Sequence, residues 1–202
     1  WPVYLIWASA WYLLPHSHCP NPIPVYVLVL LPMGKLGILI SGRGSNMEAI
    51  LNHIASGALQ ASVAVVISNK PTAPGLDIAQ SHGVPTQVFD PKQYNNHDAY
   101  ETAIVACLQK YNVDLVCLAG YMKLLHAPML TAFMGRMVNI HPSLLPSFKG
   151  LHAQQQALDY GVKLAGCSAH YVTKDMDAGP IICQASVPVL PEDTVDALSE
   201  RI

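Results

Sequence analysis

The sequence predicts an α/β fold, an open twisted and mostly parallel sheet with helices on both faces, Rossmann-like in its N-terminal half and antiparallel toward the C-terminus. Three observations carry that reading. The runs at 36–40, 63–67 and 114–119 are short and almost continuously apolar, as strands buried on both faces are. Segments of helical period lie between them, so strand and helix alternate and parallel crossovers follow. Beyond residue 160 the β-rich runs Lys163 to Val172 and Ile181 to Leu190 have no helix-length connection between them, which makes antiparallel pairing natural.

At 202 residues and a formal net charge of −2, the chain has the size of one domain with a real core. Near-neutral charge without a long basic run argues against nucleic acid as the main partner. The cysteines at 19, 107, 117, 167 and 183 are odd in number, scattered and never C-x-x-C, the pattern of reduced thiols in a cytoplasmic protein. Residues 1–32 stand apart. They hold no Lys, Arg, Asp or Glu, contain all three tryptophans, and carry prolines at 2, 15, 20, 22, 24 and 32. Prolines interrupt any membrane span, and a secretory signal would begin with basic residues, so no membrane partner is expected. This stretch is read as a non-domain N-terminal extension, with the domain beginning near Met33. His16-x-His18-Cys19 lacks a fourth ligand, and no metal is expected.

In chain order, Leu36 to Ile40 is the first strand, and Ser41-Gly42-Arg43-Gly44-Ser45-Asn46 leads from it into a helix. Ser45 and Glu48 have capping-box spacing, and Met47, Ile50, Leu51 and Ile54 recur at helical period up to Gly57. Strand, glycine loop and helix in this order bind anions through the free N–H groups of the helix start. A dinucleotide site is disfavoured, because the third glycine of G-x-G-x-x-G would fall at Met47 and Val63 to Ile67 ends in Ser68-Asn69-Lys70 rather than an acid. No Gly-Lys-Ser/Thr follows, which excludes a P-loop. What remains is a single phosphate at Gly44, Ser45 and Asn46, or a plain connecting turn.

Pro74 to His82 allows a second helix, Thr86 to Phe89 a short strand, and Asn95 to Tyr111 an amphipathic helix with Ala99, Ala103, Ile104, Cys107 and Leu108 on one side. Asp114 to Ala119 is a strand with a sharp exit at Gly120. Tyr121-Met122-Lys123-Leu124-Leu125 then serves as core filling or as the wall of a ligand crevice. Leu151 to Asp159 is helical, and Asp193 to Ile202 begins a helix capped by Asp193 or Thr194, with Val195, Leu198 and Ile202 on one face.

The chemistry concentrates in Met137 to Pro146. Asn139 and His141, two apart on an extended segment, leave the same face, with Ile140 directed the other way into the core. Pro142 and Pro146 end the strand there, and strand ends are where open α/β sheets place ligands. An Asn closing a turn beside a satisfied histidine is the plainer alternative, and Asp177 is equally readable as a solvated turn aspartate.

Four stretches, Ser41 to Asn46, Leu118-Ala119-Gly120-Tyr121-Met122-Lys123-Leu124-Leu125, Asn139-Ile140-His141-Pro142-Ser143-Leu144-Leu145-Pro146 and Asp177-Ala178-Gly179-Pro180, in this order resemble the folate-dependent formyltransferases. The likeness is greatest to members that formylate glycinamide ribonucleotide in purine synthesis. The resemblance implies a transferase that moves the formyl group of 10-formyltetrahydrofolate, its co-substrate, to the amine of that nucleotide, without metal. It implies Asn139, His141 and Asp177 as catalytic residues, the Asn139 amide and a protonated His141 holding the oxyanion while Asp177 supports the ring and helps move the amine proton. Gly44, Ser45 and Asn46 would hold the substrate phosphate. His97, Met122, Lys123, Leu124, Leu125, Asn139, Thr173, Lys174, Asp175, Met176 and Asp177 would line the folate site.

Two departures accompany the resemblance. His97 stands where the family commonly has an arginine against the glutamate end of folate, and the family continues past Ile202, so the domain at 33–202 is expected to stop short at its C-terminus. A formyltetrahydrofolate deformylase is one alternative, although its regulatory domain would not fit in residues 1–32. A methionyl-tRNA formyltransferase would add a basic RNA-binding domain, and a truncated domain that binds ligand without turnover is a further alternative. The expected protein is cytoplasmic, a monomer or homodimer, with no nucleic-acid partner.

Overall fold

A computed structural model describes residues 34–202; the expectations for the N-terminal extension and for His16 to Cys19 lie outside the described residues. Strand β1 (Gly34–Ile40) and helix α1 (Ser45–Ala55) open the fold, followed by β2 (Ala61–Ser68), α2 (Gly75–Ser81), β3 (Thr86–Val88) and α3 (His97–Lys110). Then come β4 (Leu115–Leu118), α4 (Ala127–Ala132), β5 (Met137–His141), α5 (Ala153–Tyr160), β6 (Leu164–Tyr171), β7 (Ile181–Pro188) and α6 (Val195–Arg201).

All seven strands form one sheet in the order β3-β2-β1-β4-β5-β6-β7. The pairs β1–β2, β1–β4, β2–β3 and β4–β5 are parallel, and β5–β6 and β6–β7 are antiparallel. The predicted change of pairing therefore occurs, and it begins at β5. Order reverses between β1 and β4, which makes their carboxyl ends the switch point at which such sheets hold ligands.

Each face of the sheet has its own core. Leu36, Ile38 and Ile40 of β1 pack with Met47, Ile50 and Leu51 of α1, while Leu39, Val65 and Val116 pack with Tyr100, Ile104 and Leu108 of α3 and with Met129 and Phe133. A smaller cluster of Ala157, Ala165 and Leu198 joins α5 and α6 to the C-terminal strands.

The structure corrects several local expectations. Gly44, at φ 80°, is the residue that precedes α1 and makes no side-chain cap, so Ser45 is the first helical residue and not the cap. The buried stripe of α3 is Tyr100, Glu101, Ile104 and Leu108, which leaves Ala99 exposed. Helix α4 was not signalled, since a six-residue segment with Pro128 in its first turn gives little period to read. Ile140 is half-buried and lies outside the three core clusters. At α6 the cap is Thr194, whose side chain accepts from the Ala197 N–H, and Leu198 is the buried contact.

Candidate active site

The site begins where β1 ends. Leu118 pairs with Leu39 on one side and with Asn139 on the other, so the carboxyl ends of β1, β4 and β5 lie side by side. Three loops therefore share one edge. The loop after β1 is tied to the loop after β4 by Ser41 N–H donating to the Gly120 carbonyl (3.2 Å) and by Met122 N–H donating to Ser41 Oγ (2.8 Å).

Backbone contact shapes the glycine loop. A Cβ on Gly44 would lie 2.9 Å from Gly75 Cα, and one on Gly75 would lie 3.1 Å from Gly44 Cα. Only two glycines fit there, and Gly75 N–H also donates to the Gly42 carbonyl (3.1 Å). The first N–H groups of α1, which the helix cannot satisfy, thus face a cleft of about 380 Å³ lined by Ser41, Gly44, Ser45, Asn46, Lys70 and Met122. Arg43 and Lys70 supply positive charge to its lining. Lys70 was missed; in the sequence it marked only the absence of an acid after β2. It reaches the cleft because β2 ends beside β1, where Lys70 N–H donates to Ser68 Oγ (3.0 Å).

The second part of the site is built from side chains. His141 Nδ1 lies 3.4 Å from Asp177 Oδ2, and Gly150 N–H donates to the same oxygen (2.8 Å). His141 and Asp177 are thereby brought together, although the carboxylate comes from the β6–β7 connection, and Asn139 lies two residues before His141 on β5. A fourth residue joins them. His170 is buried, with Nε2 3.2 Å from Asn139 Nδ2 and 3.6 Å from Asp177 Oδ1, and its Nδ1 donates to the Tyr171 carbonyl (3.0 Å). Sequence reasoning passed over His170 because it sits inside a predicted strand with no motif around it. No local signal marked it: only the register of the antiparallel pair, which places it opposite Asn139, gives it a role.

One expectation about His141 changes. Its Nε2 donates to the Phe148 carbonyl (2.9 Å) and its Nδ1 faces Asp177, so neither ring nitrogen is free for a substrate oxygen. Phe148 and His152 hold left-handed conformations at φ 52° and 58°, unusual for bulky residues, and Asp177 does so at φ 48°. The segment after His141 is fastened by Ser168, whose Oγ donates to the Ser143 carbonyl (2.7 Å) and accepts from Leu145 N–H (2.9 Å) and Gln184 Nε2 (2.8 Å). Every hydrogen-bonding position of that hydroxyl is used.

The expected folate wall divides. Met122, Leu124 and Met176 are exposed apolar side chains, available to an aromatic ring, and Lys123, Thr173, Lys174 and Asp175 are exposed as well. Leu125 packs against the core cluster of α3 and α4 instead. His97, on the first turn of α3, stacks on His126 (centroids 4.8 Å apart, planes at 21°). His126 in turn donates its N–H to the buried Glu101 carboxylate (2.8 Å). His97 is therefore tied to the residue that follows the 122–125 loop.

Burial also sets the charge states. The His170 imidazole is held below its usual range chiefly by desolvation, with His141 and Lys149 adding to that effect and the Tyr171 carbonyl and Asp177 opposing it. Desolvation pushes the Cys117 thiol up to about 12 and that of Cys167 up to about 11, so neither is a nucleophile near neutral pH. Among the described residues no group of three or more His, Cys, Asp or Glu has a metal-binding arrangement, and no helix is long and apolar enough to cross a membrane.

Residues 34–202 match the formyl transferase family. The chain is 42% identical over 170 residues to phosphoribosylglycinamide formyltransferase of Bacillus subtilis, covering 84% of this chain and 87% of that protein. It is 48% identical over 168 residues to the trifunctional purine biosynthetic protein adenosine-3 of Bos taurus, of which it spans 17% of the length. A solved structure of glycinamide ribonucleotide transformylase 1 from Symbiobacterium toebii superposes with a TM-score of 0.83 at 54% identity, covering 84% of this chain and 80% of that one. Phosphoribosylglycinamide formyltransferase from Bacillus halodurans gives 0.81 at 44% identity, over 83% and 87%.

Proposed function

This chain belongs to the formyl transferase family, and from that premise we propose that it transfers the formyl group of 10-formyltetrahydrofolate to the amine of glycinamide ribonucleotide. One observation carries the reading: at the ends of β1, β4 and β5 a glycine loop with free N–H groups, an exposed apolar loop and the Asn139–His141–Asp177 cluster share one edge. A phosphorylated acceptor, a flat aromatic donor and a polar reaction centre fit those three places in order.

In this proposal the N–H groups at Gly44, Ser45 and Asn46, with Lys70, hold the nucleotide phosphate, while Met122, Leu124 and Met176 flank the pterin. The amine attacks the formyl carbon, a C–N bond forms, and the carbonyl oxygen becomes an oxyanion. A side-chain N–H of Asn139 donates to it. His141 Nε2 joins by exchanging the Phe148 carbonyl for the oxyanion, its Nδ1 remaining against Asp177. Asp177 accepts the proton that the attacking amine loses, through water, and returns it to the folate nitrogen as the second C–N bond breaks. His97, in place of an arginine, would meet the glutamate end of folate as the weaker cation near neutral pH. The protein would act in the cytoplasm, as a monomer or homodimer.

The test is formyl transfer by the purified chain, with tetrahydrofolate and free formate both followed, in the presence and absence of glycinamide ribonucleotide. Tetrahydrofolate formed only with the nucleotide is the expected result. Formate released without it would replace the proposal with a deformylase, and tight binding of both ligands with no turnover would replace it with a binding domain.

A further inference from the structure

His170 is a buried titratable residue that the chemistry above does not use, yet it touches two members of the catalytic cluster. We propose that His170 is a positioning residue: as a neutral ring protonated on Nδ1, it accepts a hydrogen bond from the Asn139 amide and fixes the amide nitrogen as the end that serves the reacting oxygen. The second clause rests on the formyl transfer reading; the first does not.

The ring's own contacts give its tautomer. Nδ1 lies 3.0 Å from the Tyr171 carbonyl, and a carbonyl oxygen can only accept, so Nδ1 carries the proton. A neutral imidazole has one such proton, which leaves Nε2 with a lone pair. The atom 3.2 Å from that lone pair is Asn139 Nδ2, a donor with two hydrogens. One hydrogen goes to His170 and the other is left for a ligand. With the amide reversed, Oδ1 would meet the lone pair instead, and two acceptors would face each other in a buried place.

The alternative partner for Nε2 is Asp177 Oδ1, 3.6 Å away, a contact useful only to a doubly protonated ring. Such a ring would also favour the reversed amide, and Asn139 would then present its carbonyl to an oxyanion and repel it. The groups that bear on the ring are His141 from β5, Asp177 from the β6–β7 connection and Lys149 from the loop after β5. Desolvation outweighs the carboxylate and keeps the ring neutral.

The backbone reinforces this arrangement. His170 lies directly opposite Asn139 in the β5–β6 ladder, which puts the two side chains on the same face. Its acceptor is held in turn by Gly179, where a Cβ would run into the Tyr171 carbonyl, and by Tyr171 N–H donating to the Pro180 carbonyl (2.9 Å). The connection that delivers Asp177 thus also anchors the carbonyl that sets the tautomer of His170.

Two measurements decide the matter. Long-range nitrogen–proton NMR correlations of the ¹⁵N-labelled chain should show His170 protonated at Nδ1 and bare at Nε2 at neutral and mildly alkaline pH; an Nε2–H tautomer or an imidazolium there would overturn the assignment. Formyl transfer kinetics should show His170→Phe, confirmed folded by thermal unfolding, losing between about tenfold and hundredfold in kcat, short of the loss of an oxyanion donor outright, with KM for both substrates within about twofold. His170→Gln, whose Oε1 can accept in place of Nε2, should recover most of that loss. Native kcat in His170→Phe, or no recovery in His170→Gln, would refute the positioning role. A native chain without formyl transfer would instead refute the assigned reaction, and the ring tautomer would still be read by NMR.

Discussion

The glycine loop after β1 and the Asn139 cluster after β5 stand at the same edge of the sheet, but they are held in different ways. The loop is held mainly by backbone: Gly44 and Gly75 in contact and the Gly42 and Gly120 carbonyls accepting, with the Ser41 hydroxyl the one side-chain tie described. The cluster is held through side chains, each of which uses a specific atom of another side chain or of a nearby backbone group. A backbone site fails when volume is added, whereas a side-chain site fails when a single donor or acceptor is lost.

The largest effect expected from that contrast is at Asn139. Asn139→Ala should lower kcat about 10²- to 10³-fold while the protein stays folded, at a cost of about 1–3 kcal/mol for the unpaired His170 Nε2. A variant that keeps most of its turnover would remove Asn139 from the reaction. Gly44→Ala should act in the opposite manner, through structure. A methyl placed against Gly75 at a left-handed φ should cost about 1–3 kcal/mol of stability and raise KM for the nucleotide more than that for the folate. Unchanged stability would show that the two glycines can separate. Lys70→Met, which adds no volume and removes only charge, should raise nucleotide KM about tenfold at constant kcat, in line with one charge-assisted hydrogen bond. Equal loss in kcat and kcat/KM would place Lys70 at the reaction centre instead.

Smaller still is Thr194→Ala, remote from both regions, which should cost about 1 kcal/mol through the lost cap on α6 and leave both kinetic constants alone. The smallest effect is a pH dependence. Because the folded His170 ring binds a proton less readily than the unfolded one, its contribution to stability is complete above the ordinary imidazole value. That contribution declines as pH falls from there through the ring's own lowered value. Denaturant titrations of the native chain and of His170→Gln should differ in slope across that window, and parallel curves would show that the ring does not resist protonation.

The same contrast explains what the amino-acid order reveals. The glycine loop could be read because its causes are local: an apolar run, two glycines and a helical period within twenty residues. Its partner Gly75 could not, since only the close approach of the start of α2 to the loop gives that glycine a purpose. Asn139 and His141 were readable as a pair because alternation along a strand is fixed by geometry. His170 was not, because its meaning depends on the register between β5 and β6, and Phe148 as the acceptor of His141 depends on a loop with two left-handed residues. The rotated stripe of α3 has a similar cause: Glu101 turns inward to receive the N–H groups of His126 and Met129, a demand that no hydrophobic pattern announces.

The strand order also has a consequence in time. β1 lies between β2 and β4, and its two flanks become available far apart during synthesis. At roughly 5–20 residues per second, several seconds pass between completion of β1 and arrival of β4. Both edges of β1 are open until β2 arrives, one stays open until β4 does, and Ser41 waits for Gly120 and Met122. The nascent chain is therefore most exposed to wrong pairing while the buried run Leu36 to Ile40 is incompletely covered, and slowing elongation between β1 and β4 should lower the yield of folded protein more than slowing it after β5.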